Sequence, residues 1–350
     1  MQAFFSQVCR SPFGGTMKEL TIGKNDANQR LDRFLDKAVP LLPASLCQKY
    51  LRLKRFKVNG KAAKGDLRLR EGDLLQLYIG DEFFQKPSEE NAYLKVSTPH
   101  FKLVYEDENI LLADKKPGML CHGGQGAELS RTLIAAIQAY LYQKGEWRPR
   151  EENAFTPALC NRIDRNTGGI VIAAKTAEAL RILNQKIRDR ELDKYYLCVV
   201  QGTPKPAEGR LEGFLFKDAV KNRVYVRKKP EPGALSAATE YRTLASRNGL
   251  SLVECRLLTG RTHQIRAQMA AAGWPLLGDG KYGGREVQAG GETKQNLYSY
   301  RLRFTLPTDA GCLSYLRGRE FAVDRVEFAE KYFPGIDISG IYDKMHNTVP

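Results

Sequence analysis

A single carboxylate stands between two arginines in the segment Asn161-Arg162-Ile163-Asp164-Arg165-Asn166-Thr167-Gly168-Gly169. The apolar run that follows, residues 170–174, predicts a strand. Asp164 would then lie on a loop at the mouth of a sheet, where reactive residues tend to occur. Opposite charge nearby favours the ionised form of a carboxylate, the form that acts as a nucleophile or a general base. Taken alone, however, an Asp-x-x-Thr-Gly sequence more often caps a turn than carries chemistry.

This segment resembles the Arg-Leu-Asp signature of the RluA-type family of RNA pseudouridine synthases. The usual form of that signature is His-Arg-Leu-Asp-Lys/Arg-x-Thr-Ser-Gly, followed by a strand and Ala-Lys. The positions that match it in register are Arg162, Asp164, Arg165, Thr167, Gly169, Ala174 and Lys175. Three further blocks are similar to blocks of the family and occur in its order: Lys115-Lys116-Pro117-Gly118-Met119-Leu120-Cys121-His122, Lys194-Tyr195-Tyr196-Leu197-Cys198-Val199-Val200-Gln201-Gly202, and Gly260-Arg261-Thr262-His263-Gln264-Ile265-Arg266 with Gly278-Asp279-Gly280-Lys281-Tyr282-Gly283 after it. Four ordered blocks at compatible spacing make the resemblance highly specific.

The chain departs from the family signature at three positions. Ile163 stands where the family has Leu, which conserves volume and has little effect on packing. Gly168 stands where the family often has Ser. Asn161 replaces the usual His and cannot titrate, so no acid–base role is expected at that position. None of these changes alters Asp164.

The reaction implied by the resemblance is an isomerisation of uridine in RNA. The C1′–N1 glycosidic bond breaks, uracil rotates in the pocket, and C5 joins to C1′. Such a reaction needs no metal, nucleotide or redox cofactor, so none is expected. The resemblance makes Asp164 the catalytic carboxylate, and the sequence leaves open whether it acts as a nucleophile or as a general base at the sugar.

The resemblance gives two further residues a place in catalysis. Arg266 would pair with Asp164 and favour its charged form. The alternative is that Arg266 binds phosphate, as arginines of basic proteins often do. Tyr196 would stack on the uracil or hydrogen-bond to it, although an aromatic residue beside Tyr195 in a strand is more often part of a core.

A base inside an RNA stack must be flipped out before it reacts, at a cost of about a few kcal/mol. The resemblance implies that Arg162 fills the vacated space, since guanidinium planes stack well on bases. The other substrate-binding residues expected from the matching blocks are Arg165, Thr167 and Lys116. His263 is interpreted as structural, because a histidine in a packed segment is more often a satisfied core residue than a catalytic one.

Two predicted helices near the N-terminus carry a basic run. Apolar residues at helical spacing over 31–39 predict the first helix, and Ser45 with Gln48 forms a capping-box pattern that predicts the start of the second. The second helix and its exit carry charges of nearly one sign: Lys49, Arg52, Lys54, Arg55 and Lys57. Charge runs usually form a solvated helix face, but a run of one sign favours phosphate contacts.

The stretch from about Lys18 to Ile79 resembles the S4 RNA-binding domain. The matching pieces are Gln-Arg-Leu-Asp-Arg-Phe-Leu (29–35), the basic helix, and Phe-Lys-Val-Asn-Gly (56–60) followed by Glu-Gly-Asp (71–73). The resemblance implies a small α/β unit that binds RNA through the five basic residues of the run.

The predicted fold class is α+β, with a small S4-like α/β domain before a mixed, largely antiparallel-sheet catalytic domain. After residue 100, short β-rich runs alternate with helical segments such as 176–188, without regular βαβ order or a Gly-x-Gly-x-x-Gly turn. The predicted divisions are an extension before a plausible start at Met17 (1–17), the S4-like domain (18–80), a linker (81–100), the catalytic domain (101–310) and a C-terminal extension without an assigned role (311–350).

Composition agrees with an RNA partner. The formal charge is +15 and the pI is near 9.4, and phosphate neutralisation releases counterions, which strengthens binding. No basic amphipathic helix indicates a membrane surface, and no apolar run is long enough to span one. The seven scattered cysteines show no disulfide or zinc spacing. We therefore expect a reduced, cytoplasmic, metal-free monomer.

Two other functions remain open on sequence grounds. The chain could be a non-catalytic S4-type RNA-binding protein with a degenerate synthase domain, which Asn161 alone supports. It could also be a hydrolase that pairs Asp164 with a second carboxylate, although no paired-carboxylate motif occurs. The RNA substrate is expected to be large-subunit (23S-type) ribosomal RNA, with transfer RNA as the alternative. The sequence does not identify the target uridine.

Overall fold

The computed structural model describes residues 17–84, 88–123, 128–149, 152–283 and 294–338. These residues form two compact units. The first combines the chain up to residue 99 with 135–158 and 175–178, and the second combines 100–134, 159–174 and the chain from 179 onward. Of the predicted extension 1–17, only Met17 lies within the described residues, where it begins the first strand.

The first unit contains a four-stranded antiparallel sheet and two helices. Its elements are β1 (Met17–Thr21), α1 (Leu31–Ala38), α2 (Ala44–Arg52), β2 (Phe56–Val58), β3 (Lys61–Ala62) and β4 (Leu74–Tyr78), and the sheet order is β1-β4-β2-β3. The apolar spacing of α1 buries Leu31, Phe34 and Leu35. Asn59 and Gly60 both have positive φ, which suits the tight turn between β2 and β3.

The capping box predicted for α2 is wrong. The helix begins at Ala44, the N-cap residue is Pro43, and no side chain caps it. Ser45 therefore lies inside the first turn instead of before it. The physical reason is that proline already has the φ of a residue entering a helix, so with Pro43 as N-cap the helix starts two residues early.

The predicted linker, residues 81–100, is folded in its described part. Asp81–Phe84 and Ser88–Lys95 form 3₁₀ helices. Tyr93 is buried, and its ring lies 5.2 Å from that of Tyr142 and 4.9 Å from that of Trp147, all within the first unit. The polar composition of residues 81–100 predicted an open connection, but two aromatic residues distant in sequence bury Tyr93.

The remaining elements, in chain order, are β5 (Lys102–Glu106), β6 (Ile110–Lys115), α3 (Leu133–Gln143), β7 (Ala158–Leu159), β8 (Gly168–Ala174), α4 (Ala177–Arg188), β9 (Leu192–Gln201), β10 (Glu208–Asp218), β11 (Arg223–Arg227), β12 (Ala234–Arg247), β13 (Leu250–Leu257), α5 (Gln264–Ala271), β14 (Leu297–Phe304), β15 (Glu320–Ala322) and α6 (Glu327–Tyr332). The strands β5–β15 form one eleven-stranded sheet with the path β11-β10-β12-β13-β9-β14-β8-β6-β5. Along this path only β14 and β8 pair in parallel. The predicted α+β class with a largely antiparallel sheet is confirmed.

The C-terminal boundary predicted at residue 310 is wrong. Residues beyond it form a 3₁₀ helix (Gly311–Leu316), β15 and α6. Leu313, Leu316, Val326 and Phe333 are buried in the same core as the central strands of the sheet. The sequence did not indicate this, because a three-residue strand and a six-residue helix are too short to show a period. Within the described ranges, none of the helices has the length and apolar character needed to cross a bilayer.

Two glycines let the loop that carries Asp164 enter the sheet. A Cβ on Gly168 would lie 2.3 Å from Cε2 of Tyr298, whose hydroxyl donates to Asp114. This close ring explains why glycine stands where the resembled signature has serine. Gly169 has φ +111°, and its Cβ would lie 2.1 Å from the carbonyl oxygen of Ser299 on the paired strand.

Gly169→Ala is therefore expected to lower the free energy of unfolding by at least about 3 kcal/mol, because the clash is with backbone and φ is unfavourable. Gly273→Ala is the matched control, since Gly273 has φ +89° with nothing within 4 Å of its Cβ. The control isolates the φ penalty, about 1–2 kcal/mol. Denaturant unfolding of both variants measures the difference, and equal losses would contradict the close approach.

Candidate active site

The second unit contains a cavity of about 1050 Å³. Its lining comes from all four sequence blocks and includes His122, Arg162, Asp164, Tyr196, His263 and Arg266. Segments from residue 120 to residue 297 thus meet at one place. A concave site of this size with a few convergent polar groups is the usual form of a ligand-binding pocket.

Asp164 lies in a tight turn at the entrance to β8. The amide of Thr167 donates to the Asp164 carbonyl oxygen at 3.1 Å, which closes the turn. A fully buried lysine, Lys115, contacts this turn, and its Nζ donates to the carbonyl oxygens of Met119 (2.8 Å) and Arg165 (3.0 Å). Burial lowers the pKa of Lys115 to about 8. Lys115 therefore ties the loop after β6 to the turn that carries Asp164.

Arg266 holds two carboxylates in place. Its Nη1 donates to Oδ2 of Asp164 at 2.9 Å, while Nε and Nη2 donate to the two oxygens of Asp279 at 2.7 and 2.9 Å. Asp279 is 1% exposed and also accepts the amide of Lys281. A planar guanidinium can make these three bonds at once, whereas an ammonium cannot.

The charge on Arg266 is maintained against burial. Burial alone would lower the pKa of Arg266, but hydrogen bonds and charge interactions with Asp279 and Asp164 raise it instead. The guanidinium is thus fixed and charged beside Asp164, whose side chain remains about a quarter exposed to the cavity. The arrangement presents the Asp164 carboxylate to a ligand from a rigid support.

His263 approaches Asp164 from a second direction. Its Nε2 lies 3.8 Å from Oδ2 of Asp164, and its Nδ1 lies 2.8 Å from the Tyr282 hydroxyl. Tyr282 accepts the amide of Val224, which leaves its own proton to donate to Nδ1. Burial lowers the pKa of His263 well below its usual range. A neutral ring with its proton on Nε2, facing the carboxylate, agrees with these contacts.

Alternation along β9 places its two tyrosines on opposite faces of the sheet. Tyr196 lines the cavity and packs with the apolar residues of β13 and α5, whereas Tyr195 belongs to the core on the other face beneath Arg301, 3.6 Å from its ring. Burial raises the pKa of Tyr196 to about 12. Its phenol therefore remains protonated at neutral pH and is suited to stacking or hydrogen bonding, not to proton abstraction.

The predicted substrate-binding residues occupy different environments. Arg162 and Arg165 are exposed and line the cavity, and Arg165 Nε donates to the Gly118 carbonyl oxygen. Thr167 also lines it but is 2% exposed. Lys116 is exposed and is not among the lining residues. Of the four predicted substrate-binding residues, Lys116 is therefore the one outside the cavity lining. The buried lysine of its block is the neighbouring Lys115.

Asn161, the departure from the usual histidine, has a structural contact. Its Oδ1 accepts the backbone amide of Ile172 at 2.8 Å and so joins the segment before Asp164 to β8. This contact needs an acceptor and no titratable group. The asparagine thus supports the turn without entering its acid–base chemistry.

Three residues at the site were not predicted as functional: Asp279, Tyr282 and His263. The first two lie in the Gly278–Gly283 block, so their position in a matching block was the available signal. His263 was interpreted as structural, and its side chain is in fact packed, but its Nε2 faces Asp164. Among the described residues, no cluster of three potential metal ligands occurs.

The five basic residues predicted to bind RNA lie in the first unit. Lys49, Arg52 and Lys54 are exposed on α2 and its exit. Arg55 and Lys57 are half-buried, with Arg55 over the ring of Tyr50 at 4.9 Å and Lys57 over that of Tyr78 at 5.1 Å. The three exposed residues are thus the most accessible to a phosphate.

Comparison with known sequences gives matches over most of the chain. A family model described as RNA pseudouridylate synthase matches residues 109–271. The chain is 31% identical over 294 residues to the ribosomal large subunit pseudouridine synthase C of Vibrio vulnificus, covering 82% of this chain and 88% of that protein. It is 32% identical over 265 residues to an uncharacterized RNA pseudouridine synthase of Mycoplasma genitalium, covering 75% and 80% respectively.

Comparison with solved structures gives the same fold. The human RNA pseudouridylate synthase domain containing 1 superposes with a TM-score of 0.55 at 17% sequence identity, covering 75% of this chain and 98% of that one. At this identity the likeness is evidence for the fold alone.

Proposed function

The chain belongs to the RNA pseudouridylate synthase family, and on that premise we propose that it isomerises uridines of large-subunit ribosomal RNA with Asp164 as the catalytic carboxylate. The single observation that carries the assignment of Asp164 is its 2.9 Å bond to the buried, charged Arg266 at the cavity. The substrate is proposed from the Vibrio vulnificus relative, whose name specifies the large ribosomal subunit. The net charge of +15 agrees with an RNA ligand.

The contacts of Asp164 suit the proposed chemistry. Arg266 engages Oδ2, and Oδ1 has no hydrogen-bond partner among the described residues. Oδ1 is therefore the oxygen directed to the sugar. The C1′–N1 bond breaks with its electrons on uracil, the base rotates, and C5 bonds to C1′. C5 then loses its proton and N1 gains one, so the product is an isomer. Asp164 attacks C1′ or removes a sugar proton, and both roles require its ionised form.

The contacts argue against both alternative functions. A degenerate synthase domain would be free to lose its catalytic contacts, yet the pairing of Asp164, Arg266 and Asp279 is complete. A two-carboxylate hydrolase needs a second accessible carboxyl group. Asp279 is the second carboxylate held by Arg266; it is 1% exposed, and both of its oxygens accept from the guanidinium. It is thus a support for Arg266 and not an acid for a substrate.

The proposed function is tested with purified protein and unmodified large-subunit ribosomal RNA, without added cofactor. We expect pseudouridine to form at one or a few discrete uridines, detected by chemical mapping of the RNA. Small-subunit ribosomal RNA and transfer RNA serve as comparison substrates. Conversion of transfer RNA alone would reject the ribosomal assignment, and no conversion of any RNA would reject Asp164-dependent isomerisation as the activity of the chain.

We further propose that the first unit binds RNA through the exposed part of its basic run, as the S4 resemblance implies. Deleting residues 1–80 is a poor test, because Asn153 donates to Thr21 and Asp26 within this unit, and a deletion removes those partners. Substitutions of exposed charged residues are expected to leave the fold intact. The most informative variant combines Lys49→Gln, Arg52→Gln and Lys54→Gln.

This triple variant is expected to weaken RNA binding and to flatten its salt dependence by roughly 0.7 in slope for each lost phosphate contact. The rate at saturating RNA should change little, because Asp164 and its contacts belong to the second unit. Salt titrations and single-turnover rates measure the two effects. Lys24→Gln, an exposed charge of the same unit outside the run, is the control. If the triple variant had the same salt slope as the wild type, α2 would not be part of the RNA interface.

A further inference from the structure

Lys194 lines the active-site cavity, and no role assigned so far uses it. It precedes Tyr196 by two positions on β9, so the two side chains leave the same face of the sheet from Cα atoms roughly 7 Å apart. Lys194 is partly buried, whereas Lys217, another lysine of the cavity lining, is exposed. A lysine in this position can reach a base that contacts Tyr196.

The ammonium group of Lys194 has no charge partner among the described lining residues of the cavity. Asp164 is the one carboxylate in this lining, and its Oδ2 accepts from Arg266. Within the described ranges Lys194 Nζ forms neither an ion pair nor a hydrogen bond, whereas Nζ of Lys115 and of Lys281 donates to backbone carbonyl oxygens. Burial alone lowers the pKa of Lys194. A partly buried cation without a counter-charge is stabilised when a ligand supplies one.

The neighbours of Lys194 along and across the sheet are apolar. Leu192 lies two positions earlier on β9, and Leu257 is the residue paired with Lys194 on β13. Both leucines line the cavity. Leucine side chains suit the faces of a planar base, whereas a phosphate group would lose its hydration against them. Charge interactions are also stronger beside apolar walls than in water. The ligand that fits this part of the cavity is therefore a planar ring with a negative charge.

Uracil has this form at one stage of the proposed reaction. When the C1′–N1 bond breaks, its electrons remain on the base, and the negative charge spreads over N1, O2 and O4. We propose that Lys194 is a further catalytic residue, whose ammonium group holds this anionic uracil until C5 bonds to C1′. The inference rests on the proposed function, because it takes uridine isomerisation as the reaction.

An ammonium group suits a base that must rotate. Its charge is compact and its donors sit on a flexible stem, so it can follow O2 or O4 as the ring turns, whereas a planar guanidinium favours one orientation. No proton leaves Lys194 in this step. The electrons that carry the negative charge form the C1′–C5 bond, and the charge on the base ends there. Lys194 thereby stabilises the charge that develops on cleavage and keeps the cleaved base in the cavity.

Lys194→Met tests the proposal, because methionine keeps a long side chain beside the leucines and removes the charge. Lys194→Arg keeps the charge, and Lys217→Met removes a charge from an exposed part of the same lining. Each variant is measured with two transcripts of large-subunit ribosomal RNA, one made with uridine and one with 5-fluorouridine. Fluorine at C5 stabilises the uracil anion, so cleavage of that nucleoside should depend less on Lys194. The readout is the single-turnover disappearance of the target nucleoside at saturating RNA.

With uridine, Lys194→Met is expected to lower this rate about thirtyfold, less than the loss of a fully buried oxyanion donor does. With 5-fluorouridine the loss should be about fivefold or smaller, and Lys194→Arg should lower either rate less than about tenfold. RNA affinity and its salt slope should not change, and Lys217→Met should affect the two transcripts by the same factor. Equal losses for the two transcripts with Lys194→Met would overturn the proposal. So would a flatter salt slope with an unchanged saturated rate, which identifies a phosphate contact.

A binding experiment that needs no turnover separates this inference from the proposed function. The probe is 5-nitrouracil, which is an anion at neutral pH, and equilibrium dialysis with the full chain measures its affinity. The wild type should bind it at least about tenfold more tightly than uncharged uracil, and Lys194→Met should remove that preference. A wild type without the preference, or a Lys194→Met variant that retains it, would overturn the proposal even if the RNA is converted. If no RNA is converted, the proposed function fails, and the preference still decides whether Lys194 binds an anionic base.

Discussion

Asp164→Asn is expected to lower the single-turnover rate of pseudouridine formation by more than about a thousandfold. The amide keeps the shape of the carboxylate but has no charge with which to attack the sugar or accept its proton. Arg266 retains its two bonds to Asp279, so the buried guanidinium stays paired. The fold and the affinity for RNA should therefore be close to those of the wild type.

The control for this prediction is a second asparagine variant in the same set of contacts. Asp279→Asn keeps the reactive carboxylate but removes charge from the buried partner of Arg266, so it should destabilise the protein and lower the rate less than Asp164→Asn does. Denaturant unfolding and single-turnover kinetics of both variants separate stability from chemistry. A rate for Asp164→Asn within tenfold of the wild type would refute the assignment of Asp164.

Arg266→Lys is expected to have the second largest effect, a fall in turnover of about a hundredfold or more with little change in RNA affinity. The ammonium keeps the charge but cannot make the three bonds that the guanidinium makes to Asp164 and Asp279. Oδ2 of Asp164 would lose its fixed donor, and the carboxylate would no longer be held in one orientation. Rates at saturating RNA and binding titrations measure the two effects.

Arg261→Lys is the matched control, because Arg261 lines the same cavity just before α5, the helix that contains Arg266, and its Nε donates to the Ser236 carbonyl oxygen, not to Asp164. The same substitution at Arg261 should leave the rate at saturating RNA within about threefold of the wild type, because the bond it removes does not involve Asp164. If Arg266→Lys lost affinity and turnover in equal proportion, Arg266 would be a phosphate contact and not a support for Asp164.

The sequence predicted the parts of the site that lie in continuous motifs. Asp164, Arg266 and Tyr196 all belong to blocks with a recognisable order, and the cavity brings these blocks together. Alternation along β9 puts neighbouring tyrosines on opposite faces, which is why block position distinguished Tyr196 from Tyr195. The fold class followed from short strands without βαβ order.

The remaining features depend on tertiary contacts that have no local signal. The burial of the Asp279 carboxylate is compensated by its bond to Arg266, 13 positions earlier in the sequence. Tyr93 is buried by two aromatic rings more than 45 positions away, so its polar surroundings predicted a linker. In the lysine pair of the first block, burial alone distinguishes Lys115 from Lys116, and burial is a property of the folded chain.

The central claim is that Asp164 of this chain forms pseudouridine in large-subunit ribosomal RNA. Its most direct test maps pseudouridines in that RNA from cells that lack the gene and from the same cells supplied with either the wild-type chain or Asp164→Asn at equal protein level. The account predicts that at least one site is lost without the gene, is restored by the wild type and stays absent with Asp164→Asn. Restoration by Asp164→Asn, or a map that does not depend on the gene, would contradict it.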